Sequence, residues 1–99
     1  MQIKVFGRPT CQVCKQAIEK IDYFLDKWKY QVPINYFDMD TVDGLAEGAY
    51  YEVSDIPTVV LEYKHQELDR WVKRPPLSKE LKPHLNKVFS SGEALDDEE

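Results

Sequence analysis

Residues 6–18 read FGRPTCQVCKQAI and hold both cysteines of the 99-residue chain, three positions apart. The stretch before them, residues 2–6 (QIKVF), is mostly apolar, which is typical of a buried strand. From Cys14 onward, apolar residues recur at spacings of three and four, which predicts an amphipathic helix over residues 11–30. The sequence therefore puts the cysteine pair where a strand turns into a helix.

A second strand and a second helix are expected next. Residues 32–40 (VPINYFDMD) are rich in residues that favour strands. A helix of about ten residues follows, with Asp40 or Thr41 as its N-cap, although Gly44 and Gly48 weaken it. The apolar residues predicted to form its inner face are Val42, Leu45, Ala46 and Ala49.

The rest of the chain predicts a hairpin and a last helix. Residues 58–63 (TVVLEY) form a third strand, and residues 68–73 (LDRWVK) follow a polar turn as its antiparallel partner. Ser78 is the expected cap of the last helix. Because a proline inside a helix costs about 3 kcal/mol, Pro83 predicts that regular helix begins near Lys82. The apolar stripe of this helix consists of Leu77, Leu81, Leu85, Val88 and Phe89.

The order of elements, β-α-β-α-β-β-α, predicts an α/β fold with a four-stranded mixed sheet flanked by three helices. The first two strands are joined through a helix, so they should be parallel with a right-handed crossover. The last two strands are joined by a tight turn and should be antiparallel. We expect one domain over residues 1–92 and an acidic, disordered tail over residues 93–99 (EALDDEE).

The net charge of the chain argues against some classes of binding partner. The formal net charge is −5, which argues against a general nucleic-acid or anionic-membrane binder, because such proteins need basic surface. No targeting segment or membrane-spanning apolar run is visible, so we expect a cytoplasmic protein. We also expect it to be a monomer. In a reducing compartment, a close cysteine pair is more typical of redox or metal chemistry than of a permanent crosslink.

The two cysteines should have unequal roles. Cys11 lies in the turn before the helix, where unpaired backbone N–H groups and the helix dipole lower the pKa of a thiol. Cys14 lies on the apolar stripe, so it should be shielded and should react second. Arg8 and Lys15 are close in sequence and can further favour the Cys11 thiolate, and Thr10 can donate a hydrogen bond to the sulfur.

The stretches VFGRPTCQVC, after the first strand, and SDIPTVV, opening the third, resemble the thioredoxin superfamily. Within it the chain is similar to small glutaredoxin-type domains, over about residues 2–90. The resemblance implies that Pro57 is cis and faces the dithiol, and that the backbone of Ile56 pairs with an extended substrate. It also implies a thiol–disulfide oxidoreductase of electron transport and cell redox homeostasis. Such an enzyme acts on protein disulfides and needs no cofactor.

On this basis Cys11 and Cys14 are the expected catalytic residues. The expected substrate-binding residues are Arg8, Thr10, Ile56 and Pro57. The implied mechanism is attack by the Cys11 thiolate on a substrate disulfide, followed by resolution of the mixed disulfide by Cys14.

The chain also departs from the glutaredoxin pattern. Gln12 and Val13 lie between the cysteines, where glutaredoxins usually carry Tyr or Phe. Residues 67–81 (ELDRWVKRPPLSKEL) lack the Gly-Gly turn that holds glutathione in that family. Within them, RWVKRPP resembles, with the spacing off by one, the W-x-x-x-R-P signature of NrdH-type redoxins, which take electrons from thioredoxin reductase. The electron donor is therefore either thioredoxin reductase or glutathione.

Two other classes of function remain open from the sequence. One is a thioredoxin-fold binding module with a non-catalytic cysteine pair. The other is a metal-handling dithiol that shares a metal between two chains. A zinc site within one chain needs two further ligands, and His65 and His84 are not at ligand spacing. We therefore expect no metal ligands in the chain.

Overall fold

The computed structural model describes residues 1–90, and these form four strands and three helices in the predicted order. The strands are β1 (Gln2–Gly7), β2 (Ile34–Asp38), β3 (Thr58–Tyr63) and β4 (Gln66–Val72). The helices are α1 (Gln12–Trp28), α2 (Val42–Tyr50) and α3 (Ser78–Ser90). The predicted tail, residues 93–99, and the end of the predicted domain lie outside the described residues.

The strands form one mixed sheet in the order β2-β1-β3-β4, which confirms the predicted architecture. β1 is parallel to β2 and antiparallel to β3, and β4 is antiparallel to β3. In the register, Thr58 pairs with both Phe6 and Val72. The end of β1, the beginning of β3 and the end of β4 therefore meet at one end of the sheet.

Helices α1 and α3 cover one face of the sheet. Ile3 and Val5 of β1 point to this face and are fully buried. This apolar layer is the main core of the domain, because most of the buried apolar side chains lie in it and each contributes about 1.5–3 kcal/mol. The helix residues that complete it are Ile21 and Leu25 of α1 and Leu81, Leu85 and Val88 of α3.

Helix α2 covers the other face and turns its glycines toward the sheet. Both Gly44 and Gly48 are buried. A Cβ atom on Gly44 would overlap the carbonyl oxygen of Asp38, so the helix approaches this closely only because the side chain is missing. The predicted inner face of α2 is therefore wrong: Val42 is 83% exposed and Leu45 is 51% exposed.

Between α2 and the sheet lies a cluster of buried charges. The Lys4 ammonium is 2.9 Å from Glu47 Oε2 and 3.6 Å from Glu62 Oε1, and it hydrogen-bonds the Tyr51 hydroxyl at 2.7 Å. That hydroxyl donates to Glu62 Oε2 at 2.8 Å. Burial by itself lowers the pKa of Lys4, but the hydrogen bonds with Tyr51 and Glu47 and the charge of Glu62 raise it overall. Lys4 is therefore charged and paired in the folded protein.

The last helix begins earlier than predicted. It starts at Ser78 rather than near Lys82, so Ser78 is its first residue and not its cap, and Pro83 lies inside it. The Leu77 carbonyl accepts the N–H groups of Glu80 and Leu81, which closes the first turn. The Glu80 carboxylate accepts the N–H of Leu77 at 2.9 Å, as in a capping box. These contacts start the helix upstream of the proline.

Candidate active site

Cys11 is the N-cap residue of α1, so the structure places it at the helix N-terminus as predicted. Its Sγ atom accepts the backbone N–H of Cys14 at 3.1 Å, the contact that a serine or aspartate oxygen makes at an ordinary N-cap. Its own N–H donates to the carbonyl of Arg8 at 3.0 Å and closes the preceding turn. Both contacts hold the sulfur where the helix dipole stabilises a negative charge.

Cys11 and Cys14 are joined by a disulfide, with their Cα atoms 5.2 Å apart. The two residues differ in exposure: Cys14 is 1% exposed, whereas Cys11 is half-buried. An external molecule can therefore reach Cys11 much more easily than Cys14. The predicted shielding of Cys14 is confirmed, whereas the order in which the two cysteines react stays a prediction.

Gly7, the last residue of β1, lies directly against Cys14. A Cβ atom on Gly7 would be 2.7 Å from Cys14 Sγ and 2.8 Å from Cys14 Cβ, closer than real side chains pack. The Gly7 carbonyl accepts the N–H of Met39 at 2.8 Å, which ties this end of β1 to the loop before α2. Gly7 was not among the predicted site residues, although a glycine between a strand and a cysteine pair was a usable signal.

The Ile56–Pro57 peptide bond is cis, as predicted. Because Thr58 pairs with Phe6, continuing the register by one residue brings Pro57 level with Gly7, on which Cys14 rests. Pro57 is buried and Ile56 is half-buried. Within residues 1–90, no backbone hydrogen bond uses the N–H or C=O group of Ile56.

Lys73, immediately after β4, adjoins the proline loop and was also missed. Its backbone N–H donates to the Pro57 carbonyl at 2.6 Å, and its φ of 67° lies in the left-handed region. Its ammonium is 3.9 Å from the carboxylate of Asp55, and both groups are exposed. A lysine is uncommon in this conformation, so nothing in the sequence pointed to the contact.

The other predicted residues lie around the turn before α1. Arg8 donates from Nε to Asp40 Oδ1 at 2.9 Å, so its charge is shared with a carboxylate. Thr10 is exposed, and its hydroxyl makes no hydrogen bond to Cys11 within the described residues. Lys15 is exposed on the first turn of the helix. The turn thus brings Arg8 and Thr10 near the cysteine pair without linking either side chain to the sulfur.

Metal-ligating side chains do not cluster in the part of the chain that is described. Among residues 1–90, no group of three or more His, Cys, Asp or Glu side chains is arranged to hold a metal ion. His84 Nε2 is 3.1 Å from Asp69 Oδ2, whereas His65 lies in the turn between β3 and β4. No described helix is long and apolar enough to cross a bilayer.

Several solved structures are similar to this chain along most of its length. Thioredoxin 1 from the thermophilic eubacterium Thermosipho africanus is 23% identical, with a TM-score of 0.71 over 93% of this chain and 99% of that one. Thioredoxin O2 from Arabidopsis thaliana, in its oxidized state, is 17% identical, with a TM-score of 0.69 over 89% and 74%. Fasciola hepatica thioredoxin is 19% identical, with a TM-score of 0.63 over 86% and 77%.

No protein-family model and no curated protein matches the chain. The structural likenesses, the mixed sheet and the cysteine pair at the start of α1 together show that the chain has the thioredoxin fold. The predicted fold class is therefore confirmed, and so is the resemblance to the thioredoxin superfamily at the level of the fold. The finer resemblance to glutaredoxins and NrdH-type redoxins stays a prediction.

Proposed function

We propose that this protein is a dithiol thiol–disulfide oxidoreductase that reduces or exchanges disulfides in other proteins. The observation that carries the proposal is the pairing of two unequal sulfurs at one helix terminus. Cys11 is accessible and hydrogen-bonded by the N–H of Cys14, while Cys14 is buried against Gly7. This is the arrangement that a two-step exchange through a mixed disulfide requires.

In the first step, the Cys11 thiolate attacks one sulfur of the substrate disulfide. A bond forms between Cys11 Sγ and that sulfur, and the other substrate sulfur leaves as a thiolate that takes up a proton. Cys14 then loses its proton and attacks Cys11 Sγ, which releases the second substrate thiolate. The substrate has gained two electrons, and the enzyme is left with the Cys11–Cys14 disulfide seen in the structure. A dithiol donor restores the reduced pair.

Substrate is proposed to lie along Ile56 and Pro57. The unused backbone groups of Ile56 support this, because they are available to pair with an extended peptide. Val13 and Val72 are each 43% exposed, Val13 between the cysteines and Val72 beside Thr58, and they give this end of the sheet an apolar rim. Arg8 and Thr10 are proposed to contact substrate at the turn before α1.

The proposed electron donor is either thioredoxin reductase or glutathione. Residues 67–81 lack the Gly-Gly turn that holds glutathione in glutaredoxins, so turnover with glutathione alone should be slow. We also propose that the protein acts in the cytoplasm as a monomer, where the reducing environment keeps the pair cycling. No cofactor is needed for the exchange itself.

Reduction of insulin disulfides by cysteine variants tests the proposal. Cys11→Ser should abolish reduction, whereas Cys14→Ser should accumulate a covalent adduct with insulin that mass spectrometry detects. Gln12→Ser is the matched control, because it changes an exposed residue between the cysteines and keeps both thiols, and it should remain active. Full activity of Cys11→Ser, or an adduct in neither variant, would refute the mechanism.

A further inference from the structure

The outer surface of α2 is an uncovered apolar stripe. Its residues follow the spacing i, i+3, i+4, i+7, i+8, so they share one side of the helix. Val42 is 83% exposed, Leu45 51% and Tyr50 80%, and the two alanines between them are also exposed. This surface, termed the α2 face, consists of Val42, Leu45, Ala46, Ala49 and Tyr50.

The α2 face cannot be turned inward without disrupting the fold. The opposite side of the helix carries Gly44 and Gly48, which lie so close to the sheet and its loop that they leave no room for a side chain. A Cβ atom on Gly44 would overlap Asp38, and one on Gly48 would overlap Met39. The apolar stripe is therefore fixed on the outside by the glycines. A contiguous apolar patch that a folded domain keeps at its surface is typical of a site for another molecule.

The charge around the α2 face is mostly negative. Residues 30–63 contain no Lys or Arg, and their acidic side chains are Asp38, Asp40, Asp43, Glu47, Glu52, Asp55 and Glu62. The cations that reach this region from other elements are already paired, and one of them is Arg70 of β4, which donates to the Tyr51 carbonyl and forms an ion pair with Glu67. Lys4 is buried against Glu47, and Arg8 bonds Asp40. The exposed Asp43 and Glu52 therefore border the apolar stripe with negative charge.

This charge decides between possible occupants. A second copy of the chain, packed through the same helix about a twofold axis, would bring two acidic borders together, and like charges across an interface are costly. Nucleic acids and anionic membranes would be repelled for the same reason. We propose that the α2 face binds a partner protein through an amphipathic helix whose apolar side is flanked by Lys and Arg.

The proposed contact is independent of the cysteine chemistry. Helix α2 covers the sheet face on which Phe6 packs against Phe37 and Tyr51, whereas Cys14 lies against Gly7 on the other face. A partner on α2 therefore leaves Cys11 open to a substrate. Binding should be unchanged in the Cys11→Ser variant, so loss of the redox activity and loss of this contact can be told apart.

A synthetic helical peptide of about 18 residues, with Leu along one side and Lys on the others, is the probe. Its controls are the same peptide with Glu in place of Lys and a scrambled peptide of identical composition. Binding is measured by fluorescence anisotropy at low and at physiological salt. The Lys peptide should bind with a Kd below about 100 µM, and both controls should bind at least roughly tenfold more weakly.

Paired variants of the protein locate the contact. Leu45→Gln/Tyr50→Gln should weaken binding about tenfold or more, because it removes the largest apolar groups of the face. Tyr23→Gln/Leu68→Gln removes exposed apolar groups of α1 and β4, at 60% and 37% exposure, and should have no effect.

The variant Asp43→Asn/Glu52→Gln tests the contribution of charge. It should bind the Lys peptide more weakly, and its affinity should depend less on salt. Three results would overturn the proposal: no binding of the Lys peptide, equal binding by the Leu45→Gln/Tyr50→Gln variant, or equal binding of the Glu peptide. A dimer in sedimentation velocity that the Leu45→Gln/Tyr50→Gln variant abolishes would also overturn it, in favour of a second copy as the occupant.

Discussion

The two faces of the sheet are held to their helices by different kinds of interaction. The face under α1 and α3 is apolar: Ile3 and Val5 meet the leucines of the helices, and Cys14 lies at its end over Gly7. The face under α2 instead buries Lys4 and Glu62 and brings glycines against the sheet. Apolar packing thus supports the cysteine pair, whereas charge pairing and close backbone approach hold α2 in place.

This difference predicts how each face responds to mutation. An apolar layer loses stability in proportion to the area removed, because each buried group contributes separately. A buried ion pair behaves differently, because removal of one partner leaves the other charged and desolvated. The face under α2 should therefore be the more sensitive to single substitutions and the more tolerant of paired ones.

The largest expected effect is that of Lys4→Met. It leaves the carboxylate of Glu62 buried, with a side chain only 10% exposed, and without its ammonium partner. The free energy of unfolding should fall by about 4 kcal/mol, measured by urea denaturation. In Lys4→Met/Glu62→Met most of this loss should be recovered. If the double variant is less stable than the single one, the two charges are not coupled as described.

Gly44→Ala should have the next largest effect. The new Cβ would overlap the Asp38 carbonyl oxygen, so α2 must move away from the sheet. We expect a loss of about 3 kcal/mol in the free energy of unfolding, although alanine is the better helix former. The matched control is Ala46→Gly on the outer side of the same helix, which should cost only about 1 kcal/mol. Equal losses in the two variants would contradict the close approach.

The same contrast explains what could be predicted from sequence. The strand, turn and cysteine helix were placed correctly because their signals are local, and the proline before β3 was correctly expected to be cis. The inner side of α2 was predicted wrongly because an apolar stripe does not reveal whether it faces a core or solvent. Gly44 and Gly48 were interpreted only as helix-weakening residues, whereas their lack of side chains sets the orientation of α2.

Other misses have similar causes. The cap of α3 involves the side chain of Glu80 and the backbone of Leu77, and the helix buries Leu81 and Leu85 although it contains Pro83. The Lys73 N–H reaches the Pro57 carbonyl because β3 and β4 pair with Thr58 opposite Val72. Such contacts depend on the tertiary arrangement, so local patterns carry little information about them. Gly7 is the exception, since its position next to the cysteine turn was visible in the sequence.

Gly7→Ala tests the packing on the face that carries the cysteines. The added methyl group meets both Sγ and Cβ of Cys14, and because Cβ cannot move by side-chain rotation, the start of α1 must shift; the loss of stability should be about 2 kcal/mol. The displaced Cys14 should attack Cys11 more slowly and prolong the mixed disulfide, seen by quenched-flow mass spectrometry. Gln12→Ala, at an exposed site between the cysteines, is the control. Unchanged resolution in Gly7→Ala would mean that Gly7 does not position Cys14.

The smallest effect is expected for Glu80→Gln, at an exposed ion pair. The hydrogen bond from Arg74, helped by the N–H of Leu77, lowers the pKa of Glu80 from 4.5 to about 2. Because the folded state favours the carboxylate, its stabilisation is complete above the ordinary pKa and is lost as the pH falls toward about 2. The variant should therefore melt slightly below the wild type at neutral pH and equal to it near pH 2. A difference that grows on acidification would contradict this assignment.

The proposed function requires that Cys11 and Cys14 form a working redox pair with unequal thiols. The most direct test is a redox titration of metal-stripped protein, in which alkylated thiols are counted by mass. We expect a single two-electron transition at roughly −180 to −280 mV, and faster alkylation of Cys11 than of Cys14 in the reduced protein. Failure to form the intramolecular disulfide, or a pair that stays oxidised well below about −300 mV, would contradict it.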